Sequence, residues 1–134
     1  MIGAFLVGRL IVGGYFIFNG LNHFLSYPMF VQAAASKGVP LPEIAIPVSG
    51  ALLLFGGASI LLGWLTDYGI AAIVLFLAVV SPYMHDFWAQ SGMERMNQMI
   101  NFTKNMALLG STLIFAAVPK PWPYSVGAPR RVVV

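Results

Sequence analysis

Residues 44–85 read IAIPVSGALLLFGGASILLGWLTDYGIAAIVLFLAVVSPYMH, a run in which Asp67 is the sole Asp, Glu, Lys or Arg. A helix that crosses a bilayer needs about 20 mostly apolar residues. The run therefore predicts two such helices, at 44–65 and, reaching three residues past its end, at 68–88, joined through Thr66-Asp67 as a tight antiparallel hairpin. Working outward, residues 10–36 and 105–119 also lack Asp, Glu, Lys and Arg. The first supports a span at 2–25. The second is short alone and gives a span at 99–118 when extended back to Met99, with Lys104 snorkelling to the interface from inside it. The expected fold class is all-α, a polytopic membrane four-helix bundle, with a single transmembrane domain and a tail at 119–134.

Composition agrees. Of 134 residues, 59% are hydrophobic and 8% charged, against roughly a quarter charged in a soluble domain. The absence of cysteine excludes disulfides, a thiolate zinc site, an iron–sulfur cluster and a Cys nucleophile. A net charge of +3 from scattered basic residues is no nucleic-acid footprint. A transmembrane barrel would show alternating segments of about ten residues instead of long apolar runs. Val31-Gln32-Ala33-Ala34-Ala35 resembles a signal-peptide cleavage site, but the preceding apolar region is too long and no basic n-region opens it, so an uncleaved N-terminus is expected.

Between the first two spans, Pro28, Gly38, Pro40 and Pro42 predict a loop over 26–43. Pro47 falls in the opening turn of the second span, where a missing N–H is tolerated. Gly50, Gly56, Gly57 and Gly63 make that span a packing scaffold, Ser59 and Gly63 having small-xxx-small spacing. Phe24, Tyr27, Trp64, Tyr68, Tyr83, Phe87, Trp88, Trp122 and Tyr124 gather near span ends as an interfacial belt. Arg9, Lys120, Arg130 and Arg131 outnumber Lys37, Arg95 and Lys104 on the other side, which places both termini in the cytoplasm. Arg9 is expected to snorkel to that surface, and Arg130-Arg131 to lie in a solvated tail within reach of anionic headgroups.

Ionisable side chains in a bilayer are expensive, so those present are the functional candidates. Arg9, Gly13, Phe16, Gly20 and His23 share one face of the first span by three-, four- and seven-residue spacing. Ser81, His85 and Trp88 form a stripe at the end of the third, with Asp86 adjacent; Asn97, Asn101, Lys104 and Asn105 open the fourth. Antiparallel alternation brings Asn22, His23, His85, Asp86, Trp88, Asn101, Lys104 and Asn105 to one membrane face. The plain alternative is structural: wet helix ends, asparagines bonding neighbouring helices, and Lys104 paired with Asp86. No metal site is expected. The two histidines are also a weak bis-histidine haem pattern, and no strong enzyme motif occurs.

Taken in order, these residues resemble the DoxX family of small four-helix membrane proteins. The resemblance runs through Gly8-Arg9-Leu10, Phe18-Asn19-Gly20-Leu21, Lys37-Gly38-Val39-Pro40, Ser49-Gly50, Gly56-Gly57 and Gly63. It continues in His85-x-x-Trp88 and Lys104-Asn105-x-Ala107-x-x-Gly110. The chain departs from the family at Leu53, where an acidic residue is common, and at His23, where Lys is common. The resemblance implies a bacterial or archaeal plasma-membrane protein linked to thiosulfate:quinone oxidoreduction or to membrane-bound oxidoreductase assemblies.

The leading expectation is a small subunit of a quinone-linked oxidoreductase complex. His85 and Asp86 would exchange protons. Trp88 and Phe87 would stack on a quinone ring, Lys104 and Asn105 would bond its carbonyls, and Asn22, His23 and Asn101 would complete the cluster. Electrons would come from a partner subunit. The alternatives are an accessory subunit without chemistry, packed against a larger complex, or a small-solute carrier built as a homo-oligomer; lipids are the remaining partner.

Overall fold

The computed structural model describes residues 1–126; Arg130 and Arg131 lie outside the described residues. The elements are α1 (Ile2–Leu25), α2 (Tyr27–Ser36), α3 (Pro42–Leu62), α4 (Thr66–Met84), a 3-10 turn at Phe87–Ala89, and α5 (Gly92–Ala116). Among the described residues, α1, α3 and the segment Thr66–Ala89 are long and apolar enough to cross a membrane. α5 is long enough as well, but it begins seven residues before the expected span and carries Glu94 and Arg95 in its first turn and Lys104 at its middle. Its opening turns therefore form a polar lead-in.

Two local readings are corrected. The segment 26–43 is not simply a loop, because ten of its residues form α2. Pro28 stands in the first turn of that helix, where its fixed φ favours initiation and its missing N–H costs nothing, and Val31-Gln32-Ala33-Ala34-Ala35 continues it. Second, the α3–α4 turn lies one step earlier than Thr66-Asp67. Gly63, at φ 69°, caps α3 in the left-handed conformation while its N–H and that of Trp64 bond the Ser59 carbonyl. Thr66 and Asp67 then open α4, where the carboxylate complements the helix dipole. Gly63 also packs closely, since a Cβ there would lie 2.8 Å from Arg9 Nη2 of α1 and 2.5 Å from the Ser125 side chain.

α1 and α3 run antiparallel with their backbones nearly touching. A Cβ on Gly13 would lie 2.9 Å from the Gly57 carbonyl oxygen, and one on Gly20 would lie 3.0 Å from that of Gly50. Both helices repeat glycine every seven residues on the contact face, so the two pairs meet at successive levels. On its other side α3 meets α4 through Gly56, Ser59, Gly69 and Ile73. Phe16, Leu53, Ile60, Ile70, Ile73, Leu77, Phe115 and Trp122 form the core, while Leu10, Ile11, Phe18, Leu113 and Ile114 face outward. Pro47, within α3, has no N–H for the Glu43 carbonyl four residues before it. The Tyr27 hydroxyl donates to that oxygen at 3.0 Å, which ties α2 to α3.

Arg9 does not snorkel. It is 2% exposed and donates from Nε to the Ile60 carbonyl (3.0 Å), from Nη2 to Leu61 (2.9 Å) and from Nη1 to Pro123 (2.6 Å). The last carbonyls of α3 have no partners within the helix, and a guanidinium satisfies two of them while holding the segment after α5. Phe5 and Trp122 flank the cation, 5.7 and 5.5 Å from its carbon. Phe5, Phe115 and Trp122 pack together at this end, so α1 and α5 meet there.

Candidate functional site

At the opposite end lies a cavity of about 660 Å³, walled by all five helices. Phe16, Phe30, Leu53, Phe76, Leu77 and Leu108 supply apolar wall. The polar groups come from Tyr15, Asn19 and His23 on α1, Ser49 on α3, Tyr83 on α4, His85 just past it, and Asn101, Lys104 and Asn105 on α5.

His23 is 7% exposed. Its Nδ1 lies 2.8 Å from the carbonyl of Asn19, one helical turn earlier. Phe30 stacks on the imidazole with centroids 4.5 Å apart, and Phe76 meets it edge-on at 5.9 Å. Phe30 reaches His23 only because 27–36 is a helix. His85 follows the last residue of α4, where its backbone N–H bonds the Ser81 carbonyl at 3.0 Å. Its Nδ1 lies 2.9 Å from Gln98 Oε1, and Gln98 Nε2 donates to Glu94 at 2.5 Å. Lys104 donates to Asn101 Oδ1 at 3.0 Å. Asn105 is buried, 8% exposed, and lines the cavity.

Of the eight residues that sequence brings to one face, His23, His85, Asn101, Lys104 and Asn105 share this cavity, and Asn22, Asp86 and Trp88 are not on its wall. Asp86 is paired with Lys37 at 2.6 Å, not with Lys104, and Gln90 also donates to it. α4 ends before His85, so the stripe through Ser81, His85 and Trp88 does not continue as a helix. Trp88 is 56% exposed and packs edge-on against Phe87 and Phe102. Asp86 and Trp88 instead border a second space of about 310 Å³ with Lys37, Pro82 and Tyr83. Asn22 is half-buried on α1.

Sequence reasoning missed Gln98, Ser49, Phe30 and Phe76 as members of the site. Gln98 lies four residues beyond Glu94, a visible helical spacing, but the expected span began after it. Phe30 was concealed by reading its segment as loop.

Residues 4–86 match the sequence pattern of the DoxX family. The chain belongs to the DoxX family. The DoxX match spans α1 to α4 and ends before α5. The chain is also similar to the inner membrane protein YphA of Escherichia coli, 27% identical over 111 residues that cover 83% of this chain and 79% of that protein. No solved structure matches it. This DoxX protein is thus an all-helical membrane protein.

Proposed function

We propose that this chain is a small multi-pass subunit of a quinone-linked oxidoreductase complex in a bacterial or archaeal plasma membrane, and that its cavity holds a quinone-class ring near one membrane face. One observation carries this reading: a cavity of about 660 Å³ with aromatic and aliphatic walls also gathers His23, His85, Lys104 and Asn105. Ligand sites of this size are mostly apolar with a few convergent polar groups that orient the ligand. Phe30 and Phe76 offer ring surface, and Lys104 and Asn105 offer N–H donors. His85 takes the proton-exchange role alone, since Asp86 is engaged by Lys37 outside the cavity. The membrane location is supported by the resemblance to an inner membrane protein. Both termini are proposed to be cytoplasmic, on the balance of basic residues.

The test is calorimetric titration of a short-chain benzoquinone into the protein in lipid nanodiscs, with empty discs subtracted. The reading expects saturable binding that Asn105→Leu weakens. Partitioning indistinguishable from that into empty discs would eliminate it.

A second reading, an accessory subunit without chemistry, is favoured by the lack of any carboxylate on the cavity wall among the described residues. It expects stoichiometric co-purification with a membrane complex whose turnover survives His85→Phe.

A further inference from the structure

Hydrogen-bond directions on the cavity wall narrow the ligand further; the step rests on reading the cavity as a ring-binding site. A backbone carbonyl only accepts, so the 2.8 Å contact to Asn19 oxygen requires His23 Nδ1 to carry the proton. Nε2 of the neutral ring then presents a lone pair. Gln98 turns its NH2 to the Glu94 carboxylate and its carbonyl to His85, so His85 Nδ1 must donate as well. Among the described residues, neither Nε2 makes a hydrogen bond. His23 on α1 and His85 just past α4 both line the cavity, each with its Nδ1 proton committed and its Nε2 left as an acceptor, together with the Lys104 and Asn105 donors of α5.

We propose that the cavity selects an aromatic hydroxyl compound, the reduced quinol class, over the corresponding carbonyl or ether. An O–H group donates to Nε2 and still accepts from an α5 donor. A carbonyl or ether oxygen set against Nε2 places two acceptors together and leaves both unpaired away from water. The titratable groups on the wall are Tyr15 and His23 of α1, Tyr83 of α4, His85, and Lys104 of α5; α2 and α3 contribute none. Behind His85 stand Glu94, through Gln98, and the adjacent Asp86 with its partner Lys37.

The experiment compares 2-naphthol with 2-methoxynaphthalene, titrated calorimetrically into the full-length protein in nanodiscs, with empty discs subtracted. One net hydrogen bond corresponds to roughly five- to tenfold tighter binding of the naphthol at about pH 8. His23→Phe keeps a ring against Phe30 and should reduce the ratio, as should His85→Phe. Equal binding of both compounds at about pH 8 overturns the selection and leaves the ring site standing. That comparison on the unaltered protein decides even if a histidine variant fails to fold. Saturable binding of neither compound overturns the ring site along with the selection.

Discussion

Arg9 Nε donates to the carbonyl of Ile60 at 3.0 Å, across 51 residues of sequence, and so ties the start of α1 to the end of α3. The cation sits among Phe5, Trp122 and three carbonyls, with its charge balanced by dipoles and ring faces. Arg9→Met should strand the Ile60, Leu61 and Pro123 oxygens and cost on the order of 2–4 kcal/mol. Arg9→Lys should recover part of that loss, since an ammonium cannot span three carbonyls as a planar fork does. Denaturant unfolding in mild detergent measures both, and an Arg9→Met protein as stable as the parent would refute the clasp.

Glycine's role differs between α3 and α5. Gly57→Val should force α1 and α3 apart, because its Cβ would stand 2.8 Å from the Gly13 oxygen and 2.8 Å from the Ile17 nitrogen. The expected cost is about 1–3 kcal/mol. Gly110→Ala, with nothing within 4 Å, should instead stabilise α5 by up to about 1 kcal/mol. Thermal unfolding of the two variants should move in opposite directions.

Ser59 packs its side chain against Gly69 at the α3–α4 crossing, yet its buried hydroxyl has no hydrogen-bond partner. Ser59→Ala removes a desolvated polar atom and almost no volume. Its stability should equal or exceed the parent's. A marked loss in the same unfolding assay would mean that the hydroxyl has a partner in the membrane.

Lys37 and Asp86 join the end of α2 to the segment after α4, and both side chains remain partly exposed. Asp86→Asn should therefore lower thermal stability only slightly, and less at high salt than at low salt. Since Asp86 does not line the main cavity, the same variant should leave naphthol binding unchanged. A fall comparable to that of His85→Phe would return Asp86 to the site.

The placement of α1 and α4 was legible because a bilayer demands long apolar runs, and few polar residues interrupt them. α2 was not legible. Its prolines are equally compatible with a loop, and what orders it is tertiary: Phe30 on His23, the Tyr27 hydroxyl on the carbonyl left free by Pro47, and Lys37 on Asp86. In the site, helical periodicity combined with antiparallel alternation brought His23, His85, Asn101, Lys104 and Asn105 to one end. The same reasoning carried Asp86 and Trp88 along with His85, because a continuing helix was assumed where α4 stops.

By itself, then, the amino-acid order determined an all-helical membrane bundle and the end at which its polar side chains collect, since both follow from hydropathy and from spacing along a helix. Only the tertiary structure decided which of those side chains share a cavity, which nitrogen of each histidine is already hydrogen-bonded, and that Arg9 is a buried clasp. These depend on where helices stop and on which carbonyls are left without partners. Neither is a property of spacing along one helix; both arise when distant backbone groups are brought together.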